Sequence, residues 1–158
     1  TRGIIVGGYI DGSATRTNSI EFLTMASLGN SADFGDMQEA KNSAGSASNS
    51  IRGIIAGGRT PTAIRVIDYI TIATTGDVQD FGDLDAGGTF NHTKGDLGCC
   101  TSPTRCIMGG SGQGSPGTAG MQFVEIATTG NGVDFGALTV GDDAVQDPGM
   151  WSTGHGGL

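Results

Sequence analysis

The chain has few basic residues and no long apolar run, and each shortage argues against a class of protein. Eight Lys and Arg stand against sixteen Asp and Glu, which gives a net charge of −8. Because contacts from Lys and Arg to phosphate dominate nucleic-acid affinity, we expect no DNA or RNA partner. No apolar run approaches the roughly 20 residues that a membrane-spanning helix needs, so we expect no membrane span.

Cysteine is also scarce, and its placement does not suit a metal site. The three Cys residues are Cys99, Cys100 and Cys106. There is no second Cys pair and no nearby His pattern, so a zinc site is not expected. A turn around Pro103 allows a disulfide between Cys100 and Cys106. The favoured interpretation is that the thiols are small buried side chains that fill a tight space between packed units.

Residues that carry catalysis or bind cofactors form no coherent set. His92 and His155 lie in different loops, and no Ser is paired with His and Asp. A G-x-G-x-x-G spacing occurs, but a strand follows it where a dinucleotide site needs a helix. Acidic groups in the loops are expected to be solvated, so the sequence predicts no catalytic residue, no cofactor and no metal. The glycines of that spacing and the acidic loop residues are Gly112, Gly114, Gly117, Asp83, Asp85, Asp142, Asp143 and Asp147.

Glycine is abundant, and the chain contains a three-fold internal repeat. Thirty of the 158 residues are Gly, which is typical of a chain with many tight turns. Two aromatic residues twelve positions apart recur three times, as Phe22 with Phe34, Tyr69 with Phe81, and Phe123 with Phe135. The second aromatic lies in Asp-Phe-Gly, and a Gly-Gly doublet ends an apolar run upstream of the first. The repeated Asp residues are Asp33, Asp80 and Asp134, and the doublets are Gly7-Gly8, Gly57-Gly58 and Gly109-Gly110.

The repeat predicts one all-β array. Its units are residues 1–50, 51–103 and 104–158. Each unit is predicted to have four short strands: the Gly-Gly run, a β-branched and aromatic run such as Ile67–Ala73, the Asp-Phe-Gly run, and a small-residue run such as Ser43–Ser48. A period near fifty residues is typical of repeat arrays, and four-stranded sheets that cover each other favour a β-propeller over a β-solenoid.

Three sheets do not close a propeller, which usually has four to eight. The chain also begins at Thr1 inside the repeat pattern. Two interpretations stay open. The chain is a piece of a longer propeller, or two chains join head to tail or by exchange of terminal strands.

The repeat resembles the kelch-like repeats of phage and environmental viral structural proteins. The resemblance is carried by Ile67–Gly76, Asp80–Leu84 and Arg52–Gly58, and it covers nearly the whole chain. The first unit departs most, at Thr24–Gly29. Cellular kelch units carry a Trp shortly after the first aromatic. Here those places hold Leu28, Thr75 and Thr129. The resemblance implies a propeller in a virion appendage, such as a tail fibre or attachment protein, and implies no catalytic residues.

Candidate binding residues lie in the loops whose length varies between units, because such loops usually carry function. They are Tyr9, Asp11, Arg59, Gln113 and Trp151. A recurring Arg precedes each Gly-Gly run, as Arg2, Arg52 and Arg105. We expect it to make one structural contact per unit, to backbone or to Asp36 and Asp83. The repeated Asp of Asp-Phe-Gly is expected to bind turn amides.

The first functional hypothesis is a non-catalytic structural and binding module of a virion appendage, located on the virion or outside cells. Its expected partners are other virion proteins, copies of itself, or a host surface glycan. A second hypothesis is a subunit of an extracellular filament or adhesin. A third is a propeller glycosidase or lyase, which requires a unique pair of carboxylates or a metal cluster.

Overall fold

The computed structural model describes residues 1–10, 15–84, 95–110, 119–139, 145 and 148–153. Asp11 and Gln113 lie outside the described residues. So do His92, His155, the three glycines of the G-x-G-x-x-G spacing, and Asp85, Asp142, Asp143 and Asp147. Within the described ranges the fold is all-β, as predicted, and no helix there is long and apolar enough to cross a membrane.

The strands form three antiparallel sheets, each with neighbours along the chain paired in order. The first sheet contains β1, β2 and β3; the second contains β4 to β7; the third contains β8 to β11. Their bounds are β1 Arg2–Tyr9, β2 Arg16–Thr24, β3 Ala32–Asp36, β4 Gly45–Ser48, β5 Arg52–Ala56, β6 Val66–Thr71, β7 Gln79–Asp83, β8 Gly98–Thr101, β9 Arg105–Gly109, β10 Gly120–Glu125 and β11 Val133–Ala137.

The sheets do not begin where the sequence units begin. The small-residue strands β4 and β8 pair with the Gly-Gly strands that follow them, β5 and β9. Each therefore opens its sheet, although the sequence units placed it at the end of the preceding unit. The sheet boundaries fall before Gly45 and Gly98.

The Asp-Phe-Gly tripeptide is a β-bulge in all three sheets. In the first sheet Gly35 pairs with Ile20 and Asp33 pairs with Glu21, so Phe34 is the extra residue. The same shift occurs beside Phe81 and Phe135. A bulge bends its strand and redirects a side chain. Here each Phe meets the first aromatic of its unit edge to face, with ring centroids 5.9–6.2 Å apart.

One glycine of each Gly-Gly doublet takes a left-handed backbone conformation at the equivalent place, and this feature aligns the third unit. Gly7, Gly57 and Gly110 have φ of 55°, 61° and 68°. Gly109 instead lies inside β9. It occupies the place of Ala56, so the third doublet is displaced by one residue from the sequence alignment. Only Gly adopts such φ values at low cost.

Two apolar clusters lie between neighbouring sheets. Ile20, Phe34 and Met37 of the first part of the chain pack with Ile55 and Ile70 of the second sheet. A larger cluster joins the second and third sheets through residues that include Ile54, Phe81, Leu84, Met108 and Val124. Burial of apolar surface stabilises by about 25 cal/mol per Å², so these clusters hold the sheets against one another.

Backbone hydrogen bonds repeat at the two sheet junctions. The amide of Gly76 donates to the carbonyl of Phe34, and the amide of Gly130 donates to Phe81, both at 2.7 Å. Beside them, the side chains of Asp77 and Asn131 accept from the amides of Asp36 and Asp83 at 2.9 and 3.0 Å. The turn of each later sheet thus docks on the bulged strand of the sheet before it.

Candidate functional site

Two polar surfaces lie at opposite ends of the strands. Tyr9 ends β1, and Arg59 follows β5 at the same end. Thr101 pairs with Cys106 at the end where β9 begins, and Ser152 donates to the carbonyl of Thr101. We call the first surface the loop rim, made of Tyr9, Arg16, Asn42, Arg59 and Asp96. We call the second the inner-strand cleft; it lies between the ends of the small-residue strands β4 and β8, which we call inner strands, and residues 150–152.

The loop rim is held by polar contacts across the first two sheet junctions. The guanidinium of Arg16 lies 5.2 Å from the centre of the Tyr9 ring and donates to its hydroxyl at 3.1 Å. Its Nε donates to Asn42 Oδ1 at 2.7 Å. The backbones of Asn42 and Arg59 pair with each other, and Arg59 lies 3.8 Å from the carboxylate of Asp96. These contacts hold an aromatic ring and two guanidinium groups next to one another at the rim.

The inner-strand cleft has a volume of about 570 Å³. It is lined by the ends of β4 and β8 and by the segment that contains Met150, Trp151 and Ser152. The Trp151 side chain is 87% exposed. An exposed aromatic ring beside hydroxyl and amide groups suits a ligand with apolar faces and many hydroxyls. The hydroxyl and amide groups come from Ser48, Asn49, Ser50, Thr101 and Ser152.

The segment of residues 148–152 follows β4 and β8 in a series of similar side-by-side contacts. Thr101 Oγ1 donates to the carbonyl of Ser48 at 2.7 Å, and Ser152 Oγ donates to Thr101 in the same manner. Gly45 faces Leu97 and Cys99 so closely that a Cβ would lie 2.6 Å from Cys99 Sγ. Gly98 faces Pro148 and Met150 in the same way, with a Cβ only 2.5 Å from the Pro148 carbonyl oxygen.

Of the five predicted loop residues, the three that the structure describes lie on two different surfaces. Tyr9 and Arg59 both belong to the loop rim. Trp151 lies in the inner-strand cleft, because its segment runs beside β8 and not in a loop at the rim. Sequence reasoning missed Arg16, Asn42 and Asp96. The signal was weak, since each is a single polar residue at a strand end or in a turn.

The recurring Arg makes a structural contact, as predicted, but not to Asp36 or Asp83. Arg2 donates to the carbonyl of Ile72 at 2.8 Å, and Arg52 donates to Ile126 at 2.7 Å. Each Arg also stacks on the first aromatic of its own sheet at 4.5–4.7 Å. Asp36 pairs with Ser19, toward the opposite end of β2. The third residue, Arg105, forms an exposed ion pair with Glu125 at 2.6 Å.

The repeated Asp of Asp-Phe-Gly is exposed in all three sheets. Asp134 Oδ1 accepts from the amide of Gly136 at 3.4 Å, a long hydrogen bond of the predicted kind. Asp33 and Asp80 pair with Glu21 and Asp68, respectively, on the neighbouring strands. These Asp residues lie one per sheet.

The Cys residues are free thiols, and the geometry forbids the disulfide that the sequence allowed. Cys106 pairs with Thr101, whereas Cys100 pairs with Ile107. Successive residues of a strand point to opposite faces, so Cys100 and Cys106 face away from each other. Cys106 belongs to the apolar cluster between the second and third sheets and Cys99 packs against it, as the favoured interpretation predicted.

The surroundings of Cys99 and Cys100 favour the protonated thiol at these two residues. A side-chain hydrogen bond with Cys106 raises the pKa of Cys99 well above its usual value, and burial raises it further. Burial also raises the pKa of Cys100. Because the thiolate is the nucleophile and the metal ligand, these cysteines are not activated for either role.

Sequence reasoning also missed a buried ion pair. Lys41 Nζ lies 2.7 Å from Asp68 Oδ2, and both side chains are 2% exposed. Asp68 Oδ1 is buried without a hydrogen-bond partner. The signal was an acid inside the apolar run Ile67–Ala73, in a chain with two Lys residues.

In the part of the chain that the structure describes, no group of three or more His, Cys, Asp or Glu is placed to hold a metal ion. No protein-family model matches this chain, and no curated protein is significantly similar to it.

Proposed function

We propose that the chain is a non-catalytic structural and binding module of a virion appendage, built as part of a kelch-like β-propeller. In this role it is located on the virion or outside cells. It joins other virion proteins or copies of itself and contacts a host surface glycan through its rim. The kelch-like resemblance is the reason for assigning the appendage.

One observation supports the propeller arrangement above all. Equivalent residues make equivalent contacts at both sheet junctions, as with Gly76 on Phe34 and Gly130 on Phe81. The inner strands β4 and β8 also lie side by side, and residues 148–152 continue the series. Repetition of one junction around an axis generates the radial array of a propeller.

The loop rim supports the binding role. Tyr9 supplies a half-exposed aromatic face, and Arg16 and Arg59 supply donors that are fixed in place by Asn42 and Asp96. Fixed donors beside an aromatic ring suit the hydroxyls and apolar faces of a sugar. Fixing them in advance reduces the entropy lost on binding.

A glycan array probed with the labelled protein tests this role. We expect binding to a restricted set of surface glycans, and we expect the double variant Tyr9→Ala with Arg59→Ala to reduce it at least tenfold. Leu28→Ala is the matched control, because Leu28 is fully exposed on a turn of the first sheet and outside both polar surfaces.

The same array separates the rim from the cleft. If Trp151→Ala abolishes binding and the rim variant does not, the ligand is bound by the inner-strand cleft, contrary to the proposal. Release of shortened products from a polysaccharide panel would contradict the non-catalytic role and favour a glycosidase or lyase.

A further inference from the structure

The outer face of the third sheet lies around Phe135 and Gly136. The equivalent faces of the first and second sheets are each covered by the next sheet, and we call these two the occupied junctions. Phe34 and Phe81 are each 2% exposed because the next sheet covers them, whereas the equivalent Phe135 is 46% exposed. A Cβ on Gly35 would lie 2.4 Å from the carbonyl of Gly76, and one on Gly82 would lie 2.6 Å from Gly130. The equivalent Gly136 has no neighbour within 4 Å among the described residues.

The first sheet presents the opposite surface without a cover. Ile5 is 51% exposed, whereas the equivalent Ile55 and Met108 are buried against the preceding sheet. In addition, none of the described strands pairs with β1 on its free edge, although β5 pairs there with β4 and β9 with β8. Both a face and an edge of the first sheet are therefore open.

The turn of the first sheet has the groups that dock at the two occupied junctions. Gly29 has a φ of 154°, close to the 149° of Gly76 and the 159° of Gly130. Asn30 follows it, at the place where Asp77 and Asn131 accept an amide hydrogen bond. The turn of the first sheet is thus complementary to the surface around Phe135 and Gly136.

The segment of residues 148–152 is complementary to the open edge of β1. It packs against β8 at Gly98 and Thr101, and among the described residues it belongs to none of the three sheets. At the second sheet Gly45 pairs with Ala56 and Ser48 pairs with Gly53. The same register would place Gly149 opposite Val6 and Ser152 opposite Gly3. Addition of a strand to an open edge satisfies its backbone groups.

We propose that a second copy of this chain docks its first sheet on the third sheet of the first copy, with residues 148–152 completing the sheet of the incoming copy. One placement of the second copy brings both complementary pairs together. Its first-sheet turn meets the surface around Phe135 and Gly136, and the open edge of its β1 meets residues 148–152. The inference rests on the propeller arrangement of the proposed function, and two copies would supply six sheets. The contact is head to tail, so it joins different patches of the two copies.

The occupied junctions specify the contacts of this interface. Gly29 donates its amide to the carbonyl of Phe135, and the amide of Ala137 donates to Asn30 Oδ1. Arg2 and Arg52 each donate to a carbonyl of the following sheet, at Ile72 and Ile126. By the same relation Arg105 donates to the carbonyl of Met25 in the second copy.

Native mass spectrometry of the 158-residue protein and three variants tests the interface. The wild type should give masses that are multiples of 15.9 kDa, with little monomer. Phe135→Asp and Ile5→Asp should each give monomer, with at least a hundredfold weaker association. Val133→Asp is the matched control. Val133 is exposed on the same strand as Phe135, and the equivalent Ala32 and Gln79 stay exposed at the occupied junctions.

Mixing the two monomeric variants tests the head-to-tail direction. Phe135→Asp keeps an intact first sheet and Ile5→Asp keeps an intact third sheet, so the mixture should form a heterodimer of twice 15.9 kDa. A monomeric wild type, assembly that survives both variants, or a mixture that stays monomeric would each overturn the inference. Because the loop rim contains neither Phe135 nor Ile5, these outcomes leave the glycan role to its own array test.

Discussion

At the scale of single residues, the buried pair of Lys41 and Asp68 links the chain between the first two sheets to the middle of β6. Each charge is removed from water and is balanced by the other at 2.7 Å. Burying two charges costs several kcal/mol, and their attraction offsets this cost only in good geometry. Asp68 Oδ1 is buried without a hydrogen-bond partner, which adds to the free-energy cost of burying the pair. The pair therefore fixes the position of residues before β4 more than it adds to stability.

We expect Asp68→Asn to lower the free energy of unfolding by about 3–5 kcal/mol, because it leaves the Lys41 ammonium buried without a counter-charge. Urea denaturation measures the loss. Lys41→Met combined with Asp68→Leu should recover most of it. Glu125→Gln, which breaks the exposed ion pair with Arg105, is the control and should cost no more than about 1 kcal/mol. Equal losses at the two sites would contradict the account.

The raised thiol pKa values predict a loss of stability in alkali. The pKa of Cys99 and Cys100 is higher in the folded chain than in the unfolded chain, so the unfolded chain loses these protons first. Their contribution is complete below the unfolded pKa of about 8.5 and decreases as the pH rises above it. Urea denaturation under reducing conditions between pH 7 and pH 10 measures this dependence. Cys99→Ala with Cys100→Ala should flatten it, and an unchanged slope would contradict the assignment.

At the scale of elements, the Asp-Phe-Gly bulge explains how one sheet receives the next. The extra residue turns a Phe ring toward the first aromatic of its own sheet, and the following glycine lets a turn approach the strand. The amide of that turn then donates to the carbonyl of the bulged Phe. Bulge, ring pair and docking turn therefore act together, which is why the tripeptide and the twelve-residue spacing recur together.

Gly35→Ala should destabilise the chain more than Gly76→Ala, although both glycines have a φ of 149°. The backbone strain of an Ala is the same at the two positions. The Gly35 Cβ would also lie 2.4 Å from the Gly76 carbonyl, whereas nothing lies within 4 Å of a Cβ on Gly76. We expect a difference of about 1–3 kcal/mol from overpacking, measured by thermal and urea denaturation. Equal effects would mean that the turn does not dock on the strand.

Arg52→Met should cost about 1.5–3 kcal/mol, because it removes a charge-assisted hydrogen bond to Ile126 across the junction of the second and third sheets. The loss of stacking on Tyr69 adds about 0.5–1 kcal/mol. Urea denaturation measures the sum. Arg65→Met is the control, since Arg65 is exposed, and it should stay within about 0.5 kcal/mol of wild type.

Local patterns were sufficient to predict the strands, because β-branched and aromatic runs bounded by glycine favour strands wherever they lie. The strand within Ile67–Ala73 and the bulged strand around Phe81 were predictable in this way. Contacts between sheets were not. Lys41 meets Asp68 across 27 positions and Gly35 meets Gly76 across a sheet junction, so these contacts depend on which sheets touch. The position of Trp151, in the cleft and not at the rim, also depends on which parts of the chain touch.

At the scale of the whole molecule, the three sheets repeat one junction. The apolar clusters and the Gly-to-Phe hydrogen bonds recur at both junctions. A sheet of this size with two apolar faces needs a cover on both sides. The central claim is that each sheet covers the one before it, and that the outer faces of the first and third sheets differ from the inner faces only in lacking that cover.

Residue-resolved amide hydrogen exchange on the monomeric Phe135→Asp variant tests this claim most directly. Gly76 and Gly130 donate their amides to the sheets before them, whereas the equivalent Gly29 belongs to the first sheet. We predict that Gly76 and Gly130 exchange at least a hundredfold more slowly than Gly29. Exchange of all three amides at the same fast rate would contradict the account, because the sheets would then not be stacked.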